Sequence, residues 1–263
     1  MLAGSATAYS LTEYARIQPF LECCGFSSAY AANDWTFTES VPGTATCSIE
    51  YWADGVMHAF RGCVGDGQLV FEPGQPTRIS WSFSGLMEAP VDATLGAGAP
   101  TPDYTDEEAP PLMEASGFIP WAAAVPGLNV FEHIRSIRIN LRNALLMRQS
   151  VTVAAGKYGV VGFMVTNRGS QDDPGMECII EAEEKDDDFW VYWLGRSTSR
   201  DINAASLTIA VGTVDQSTFT FTIYDLDIVD MEGIDFEGIR GQRLTCRIMG
   251  TSGGNDGFSL VAT

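Results

Sequence analysis

Six carboxylates, Asp225, Asp227, Asp230, Glu232, Asp235 and Glu237, crowd one short stretch of this chain. Clustered oxygens of this kind are what a hard cation such as calcium takes as ligands. The spacing does not fit the EF-hand loop, in which alternating aspartates lead to a glycine and a glutamate closes the site. A solvated acidic loop accounts for the same run, and no metal site is assigned. A second pattern pairs charges at strand spacing: Arg138 with Arg142 and Arg243 with Arg247 against Glu177, Glu181 and Glu183. Copies that meet through different surfaces use complementary charge on two faces of one chain. Two solvated faces give the same sequence.

Catalysis requires an activated nucleophile or a paired acid and base, and the two histidines, His58 and His133, stand in no recognisable motif. No catalytic residue and no cofactor are assigned. The six cysteines (Cys23, Cys24, Cys47, Cys63, Cys178 and Cys246) include no CxxC pair and read as reduced residues of a core. Trp35, Trp52, Trp81, Trp121, Trp190 and Trp193 could serve a non-enzymatic carbohydrate-binding β-sandwich as stacking platforms, and that module is the alternative reading.

Acidic residues number 34 against 15 Lys and Arg, for a formal charge of -19. That sign opposes the phosphate contacts on which nucleic-acid affinity depends. Hydrophobic residues make up 45% of the 263, enough for a real core. No apolar run is long enough to span a membrane, and the start lacks the features of a signal peptide.

The elements that must position these residues are mostly strands. Leu11, Tyr14, Ile17 and Leu21 share one helical face, with Pro19 as a kink and Gly25 as a stop. Strands are predicted over Asp34–Ser40 and Thr44–Trp52, and Asp54-Gly55 is a strong hairpin signal returning the chain into Val56–Val64. Gly65-Asp66-Gly67 reads as a turn before a short strand at Gln68–Phe71. Ile79, Trp81 and Phe83 then alternate with serines in a strand that ends at Gly85. Residues 88–129 hold Pro90, Pro100, Pro102, Pro110, Pro111, Pro120 and Pro126 and read as a linker between two units, 1–87 and 130–263. The second unit is predicted to hold strands at Phe131–Arg142, Val160–Thr166, Glu177–Glu183, Leu207–Val211, Phe219–Leu226, Arg240–Met249 and Phe258–Val261. A helix is expected from Asp186 to Arg196. The order of a helix and then strands occurs in both units and suggests an internal duplication.

The stretch PTRISWSFSGLMEAPVDATL (Pro76–Leu95), above all Phe83-Ser84-Gly85-Leu86 and Ala89 to Leu95, resembles the mid-chain signature of phage tail tube proteins. Thr218–Asp227, Gly238–Met249 and Asn255–Leu260 are similar to that family's closing hairpins. The resemblance implies a mainly β fold of two tail-tube-like β-sandwich or barrel domains, each with a flanking helix. It also implies a structural virion protein of a long-tailed phage, assembled in the host bacterial cytoplasm, whose stacked rings form a conduit for DNA that passes without specific binding. Implied partners are further copies of the chain, the tape measure, the tail tip and the terminator, with no membrane. Two tube domains per chain would close a trimeric ring of pseudo-sixfold appearance, and one would require a hexamer. In that setting the acidic run becomes a candidate lumen lining. Leu145, Leu146 and Met147, apolar residues in an excursion from Asn143 to Tyr158, become a candidate contact between successive rings. In the family, strands also precede the first helix, and here Met1 falls about where they would end.

Overall fold

The computed structural model describes residues 15–40, 45–53, 55–92, 118–122, 134–151, 160–166, 175–183, 205–212, 218–249 and 257–263. Within them the chain is almost entirely β. Its one helix there, α1 (Gln18–Cys23), carries Pro19 in the first turn, where a missing N–H leaves no bond unmade. Pro19 therefore opens the helix instead of kinking a longer one, and Gly25, with φ of 82°, ends it as expected. Residues 1–14 lie outside the described set.

The strands of the first half are β1 (Phe26–Ala31), β2 (Asp34–Glu39), β3 (Cys47–Ala53), β4 (Val56–Phe71), β5 (Arg78–Met87), β6 (Val91–Asp92) and β7 (Phe118–Ala122). Sequence reasoning missed β1. It is joined to β2 by Ala32-Asn33, both with positive φ (53° and 73°), the conformation that matches the twist of a two-residue hairpin. The β3–β4 hairpin forms where Asp54-Gly55 placed it, with Ala53 opposite Val56.

The turn expected at Gly65-Asp66-Gly67 is absent, because β4 runs straight through it for 16 residues. Those glycines lie directly opposite Phe83 and Trp81 of β5. A Cβ at Gly65 would fall 2.4 Å from the Phe83 ring, and one at Gly67 would fall 2.8 Å from Trp81. Here glycine makes room for aromatic rings on the neighbouring strand, a use that resembles a turn signal in sequence.

The second half contributes β8 (Ile134–Asn140), β9 (Ala144–Gln149), β10 (Val160–Thr166), β11 (Glu177–Glu183), β12 (Ala205–Val211), β13 (Phe219–Phe236), β14 (Ile239–Ile248) and β15 (Phe258–Ala262). The expected helix at 186–196 lies outside the described residues. So does most of 88–129, although β6 and β7 within it are strands, paired with β4 and β12.

Thirteen described strands form one sheet with the order β1-β2-β15-β13-β14-β11-β8-β4-β3. β12 joins the other side of β13, and β5 the other side of β4. The two halves of the chain meet within this sheet, through β2 on β15 and β4 on β8. β13 makes the fold possible. Its first part pairs with β15 and β12, its second part with β14, and a register shift lies between Ile228 and Asp230. A strand long enough to serve one set of partners and then another, with a bulge to bend it, lets one sheet turn back over itself.

The inward faces then meet. Leu69 and Phe71 of β4, Ile137 and Ile139 of β8, Ile180 of β11 and Leu244 of β14 are buried with Phe221, Ile223, Phe258 and Leu260 in one cluster. Phe71 meets Phe221 edge to face at 4.9 Å between ring centroids. Phe221 is fully buried, so Phe221→Ala should lower unfolding free energy by about 3–5 kcal/mol. Denaturant titration of the full chain measures this, and a loss below about 1 kcal/mol would mean that the two layers do not meet there.

Candidate assembly surfaces

The outward face of β8, β11 and β14 follows from the inward one by strand alternation. With Ile137, Ile139, Cys178, Ile180, Leu244 and Cys246 turned inward, Arg138, Asn140, Glu177, Glu181, Arg243 and Arg247 are turned out. Because β11 lies between β8 and β14, its glutamates are flanked by arginines on both sides. Arg142 reaches Glu177 at 2.9 Å, Arg243 reaches Glu181 at 3.0 Å, Arg138 stands 3.9 Å from Glu181, and Arg135 pairs with Glu183. Charges that sequence offered for contact between subunits thus meet within one chain.

Two polar rows cross the strands. In one, Gln68 donates to Asn140 at 2.6 Å and Asn140 donates to Glu177 at 2.8 Å, with Arg247 and Asp227 next in register. The Nε of Arg247 is buried there without a hydrogen-bond partner among the described residues. In the other row, Ser136 donates to Glu181 at 2.8 Å, and Arg243 bridges Glu181 to Glu232 on β13. Glu181 is the buried charged member. Burial alone would raise its pKa, but the Ser136 hydroxyl and the Arg243 and Arg138 guanidiniums outweigh it and hold the carboxyl below the usual value. The arginines are roughly two-fifths exposed, so each pair contributes only tenths of a kcal/mol. Stripping Glu181 of its charge is the costlier change.

The acidic run is not a loop. β13 continues through Asp227, Asp230, Glu232 and Asp235 to Phe236, and Glu237-Gly238 forms a two-residue turn, with φ of 53° and 94°. Asp227 lies opposite Arg247, Glu232 opposite Arg243 and Asp235 opposite Arg240, so cross-strand pairing holds acidic residues in a ladder that local spacing could not reveal. Asp230, Asp235 and Glu237 are exposed toward the hairpin end. Asp225 lies on β13 by its backbone. Among the described residues no group of three or more His, Cys, Asp or Glu could hold a metal ion.

The excursion after Asn143 is a hairpin arm. Among the described residues β9 and β10 pair only with each other, from Ala144 opposite Thr166 to Gln149 opposite Val160. Leu145 is not at its tip, since it lies opposite the buried Val165 and belongs to the base. Leu146 and Met147 are exposed by 50% and 46%. Successive residues on a strand face opposite ways, so two exposed neighbours mean that neither face of the arm is fully covered there. Val151 beyond them is fully exposed.

Sequence reasoning missed the residue that fixes this arm. The Asn143 amide donates to the carbonyls of Cys24 and Gly65 at 2.8 and 2.7 Å, and its backbone N–H donates to Asp66 at 3.0 Å. The base is thereby tied to the end of α1 and to β4. Asparagine beside an apolar run is the signal that was available.

The remaining candidates are dispersed. His58 lies on β4 with its ring 6.4 Å from that of Tyr51, and His133 lies outside the described residues. Trp35 is buried, and Trp81 packs with Phe20 and Phe83 in a cluster of three rings, so neither stands as an isolated platform for a sugar. Trp52 is half-buried on β3. The side chains of Trp121, Trp190 and Trp193 are outside the described set. No described helix is long and apolar enough to cross a membrane.

A family model described as phage tail tube protein matches residues 3–233. No curated protein matches the chain.

The Glu181 network has a signed pH dependence. A folded carboxylate with a depressed pKa contributes stability that is present above its unfolded value, about 4.5, and is lost as pH falls through the lower folded value. Glu181→Gln should therefore destabilise the chain by about 1–3 kcal/mol at pH 7. The gap to the unsubstituted protein should close as pH drops below that ordinary value. Paired thermal melts at pH 7 and pH 3 measure it, and a gap independent of pH would remove the charge from the explanation.

Proposed function

The chain belongs to the phage tail tube protein family, and from that premise we propose that copies of it close into rings whose stacking makes a hollow conduit for DNA. Membership makes the chain a structural component of a bacteriophage tail that assembles with other tail proteins. We read its role as non-enzymatic. The ring, its stacking and the passage of DNA without specific binding are the reading put forward here.

The observation that carries the reading is the β9–β10 arm. An apolar hairpin tied at its base by Asn143 and uncovered at Leu146 and Met147 suits a surface that is buried only on assembly. Contact with the next ring is the natural occupant, because stacked rings repeat one heterologous contact without limit. The two units expected at 1–87 and 130–263 share one sheet and one core, so we read the chain as a single tube-like unit, which favours six chains per ring over three. Tape measure, tail tip and terminator proteins are the partners proposed, with assembly in the host cytoplasm before incorporation into the virion. The acidic hairpin end at Asp230, Asp235 and Glu237 is proposed to face passing DNA.

Negative-stain electron microscopy of the concentrated protein, with its mass in solution, tests the reading. Hollow rings or tubes of uniform width are expected, and the subunit count decides between trimer and hexamer. Leu146→Asp combined with Met147→Asp should leave circular dichroism unchanged and abolish stacking, since each charge would have to be buried between rings. Tubes of unchanged length from that variant would remove the arm from the contact. Monomers that also fail to extend a pre-formed tail tip would remove the tube itself.

A further inference from the structure

Three of the six cysteines lie at one place in the fold, where the end of α1 meets the first residue of β3. The thiol of Cys47 points at Cys23, with Sγ to Sγ at 3.3 Å. Cys63 is the cross-strand partner of Cys47 on β4. All six cysteines are in the reduced form. Cys23 is buried, whereas Cys47 is partly open to solvent. We propose that Cys23 and Cys47 are a latent disulfide site, which closes when the protein meets a small-molecule disulfide such as oxidised glutathione.

The chemistry balances without any other oxidant. The Cys47 thiolate, the reachable one, attacks one sulfur of the oxidised glutathione, forming a mixed disulfide and releasing one glutathione. The Cys23 thiolate then attacks the Cys47 sulfur and expels the second. Two protein thiols are oxidised to one disulfide, one glutathione disulfide is reduced to two thiols, and the two thiol protons pass through solvent to the departing thiolates.

Geometry selects this pair. Bond formation needs the sulfurs to approach by about 1.2 Å, from the observed contact to an S–S bond of about 2.05 Å. Cys47 can supply that movement because it begins β3, which among the described residues pairs with β4 alone. Cys178 and Cys246, opposite each other on β11 and β14, are fully buried and present no sulfur to a reagent. The closed bond would join α1 to β3 and bracket the β1–β2 hairpin between its two ends. That hairpin holds the sheet edge through β2 on β15, so the bond fastens an edge of the fold to its helix.

The same contact predicts slow closure. Burial and the neighbouring Cys23 thiol push the Cys47 pKa up to about 12, so little thiolate exists at neutral pH. The rate should rise about tenfold for each pH unit between 7 and 9.

Full-length protein incubated with oxidised glutathione and digested under non-reducing conditions should yield a peptide pair linked through Cys23 and Cys47. The link should be reversed by dithiothreitol, survive in Cys63→Ser and be absent from Cys47→Ser. Closing a loop of this length should raise Tm by at least about 5 °C in the oxidised protein. A glutathione adduct on Cys47 with no internal link would overturn the proposal, as would a Cys47–Cys63 link in the unsubstituted protein. The assay needs only the single chain, so its result is separate from the fate of the tube reading.

Discussion

The fold depends on the backbone hydrogen bonds of two long strands that each serve two sets of partners. β13 pairs with β15 and β12 along its first part and with β14 along its second, and β4 pairs with β3 and then β8 on one side while β5 takes the other. Every buried N–H and C=O needs a partner, so neither strand can be shortened without orphaning its neighbours. β14 takes over from Leu226, and a register shift between Ile228 and Asp230 interrupts its ladder. Apolar side chains on the inner faces then meet, Phe71 against Phe221 at the centre.

Fixing the inner face fixes the outer one. Once Cys178, Ile180 and Ala182 point into the core, Glu177 and Glu181 must point away from it. Placing β11 between two arginine-bearing strands then decides what those glutamates meet. At a sheet edge they would have faced water, and their repulsion would have opposed folding. Between β8 and β14 they are neutralised by Arg138, Arg142 and Arg243, and Glu181 can be buried while ionised. The ion pairs are therefore a consequence of strand order.

Much of the strand content was legible in the sequence, and β11 was read to its ends because its apolar and acidic residues alternate at every position but Ile179. Partners were harder. The Gly65-Asp66-Gly67 stretch looks like a turn because the reason for its glycines, the rings of Phe83 and Trp81, stands on another strand. The acidic run looks like a loop because the arginines that hold it in a ladder lie on the returning strand β14. Local pattern reports which residues suit a strand, whereas register is a fact about two segments. The Ala32-Asn33 hairpin was missed for another reason: its turn carries no glycine, and alanine at positive φ has no sequence signature. Asn143 anchors the arm through carbonyls of Cys24 and Gly65, a contact invisible without the fold.

The distribution of charge bears on how a wall made from this protein would treat DNA. A formal charge of -19 suggests a uniformly repelling surface. The broad outer face of β8, β11 and β14 is different, since Arg135, Arg138, Arg142 and Arg243 lie in ion pairs with the glutamates of β11. Opposite charges held about 3 Å apart cancel over distances well inside a Debye length of about 8 Å, so a phosphate at the face meets little net field. Among the described residues, the β13–β14 hairpin exposes Asp230, opposite Thr245, Asp235, opposite Arg240, and Glu237 at the turn. If the broad face lines a conduit, DNA is spared adhesion there chiefly because Arg135, Arg138, Arg142 and Arg243 are already occupied by carboxylates. The exposed carboxylates of the β13–β14 hairpin would add repulsion wherever they meet the duplex.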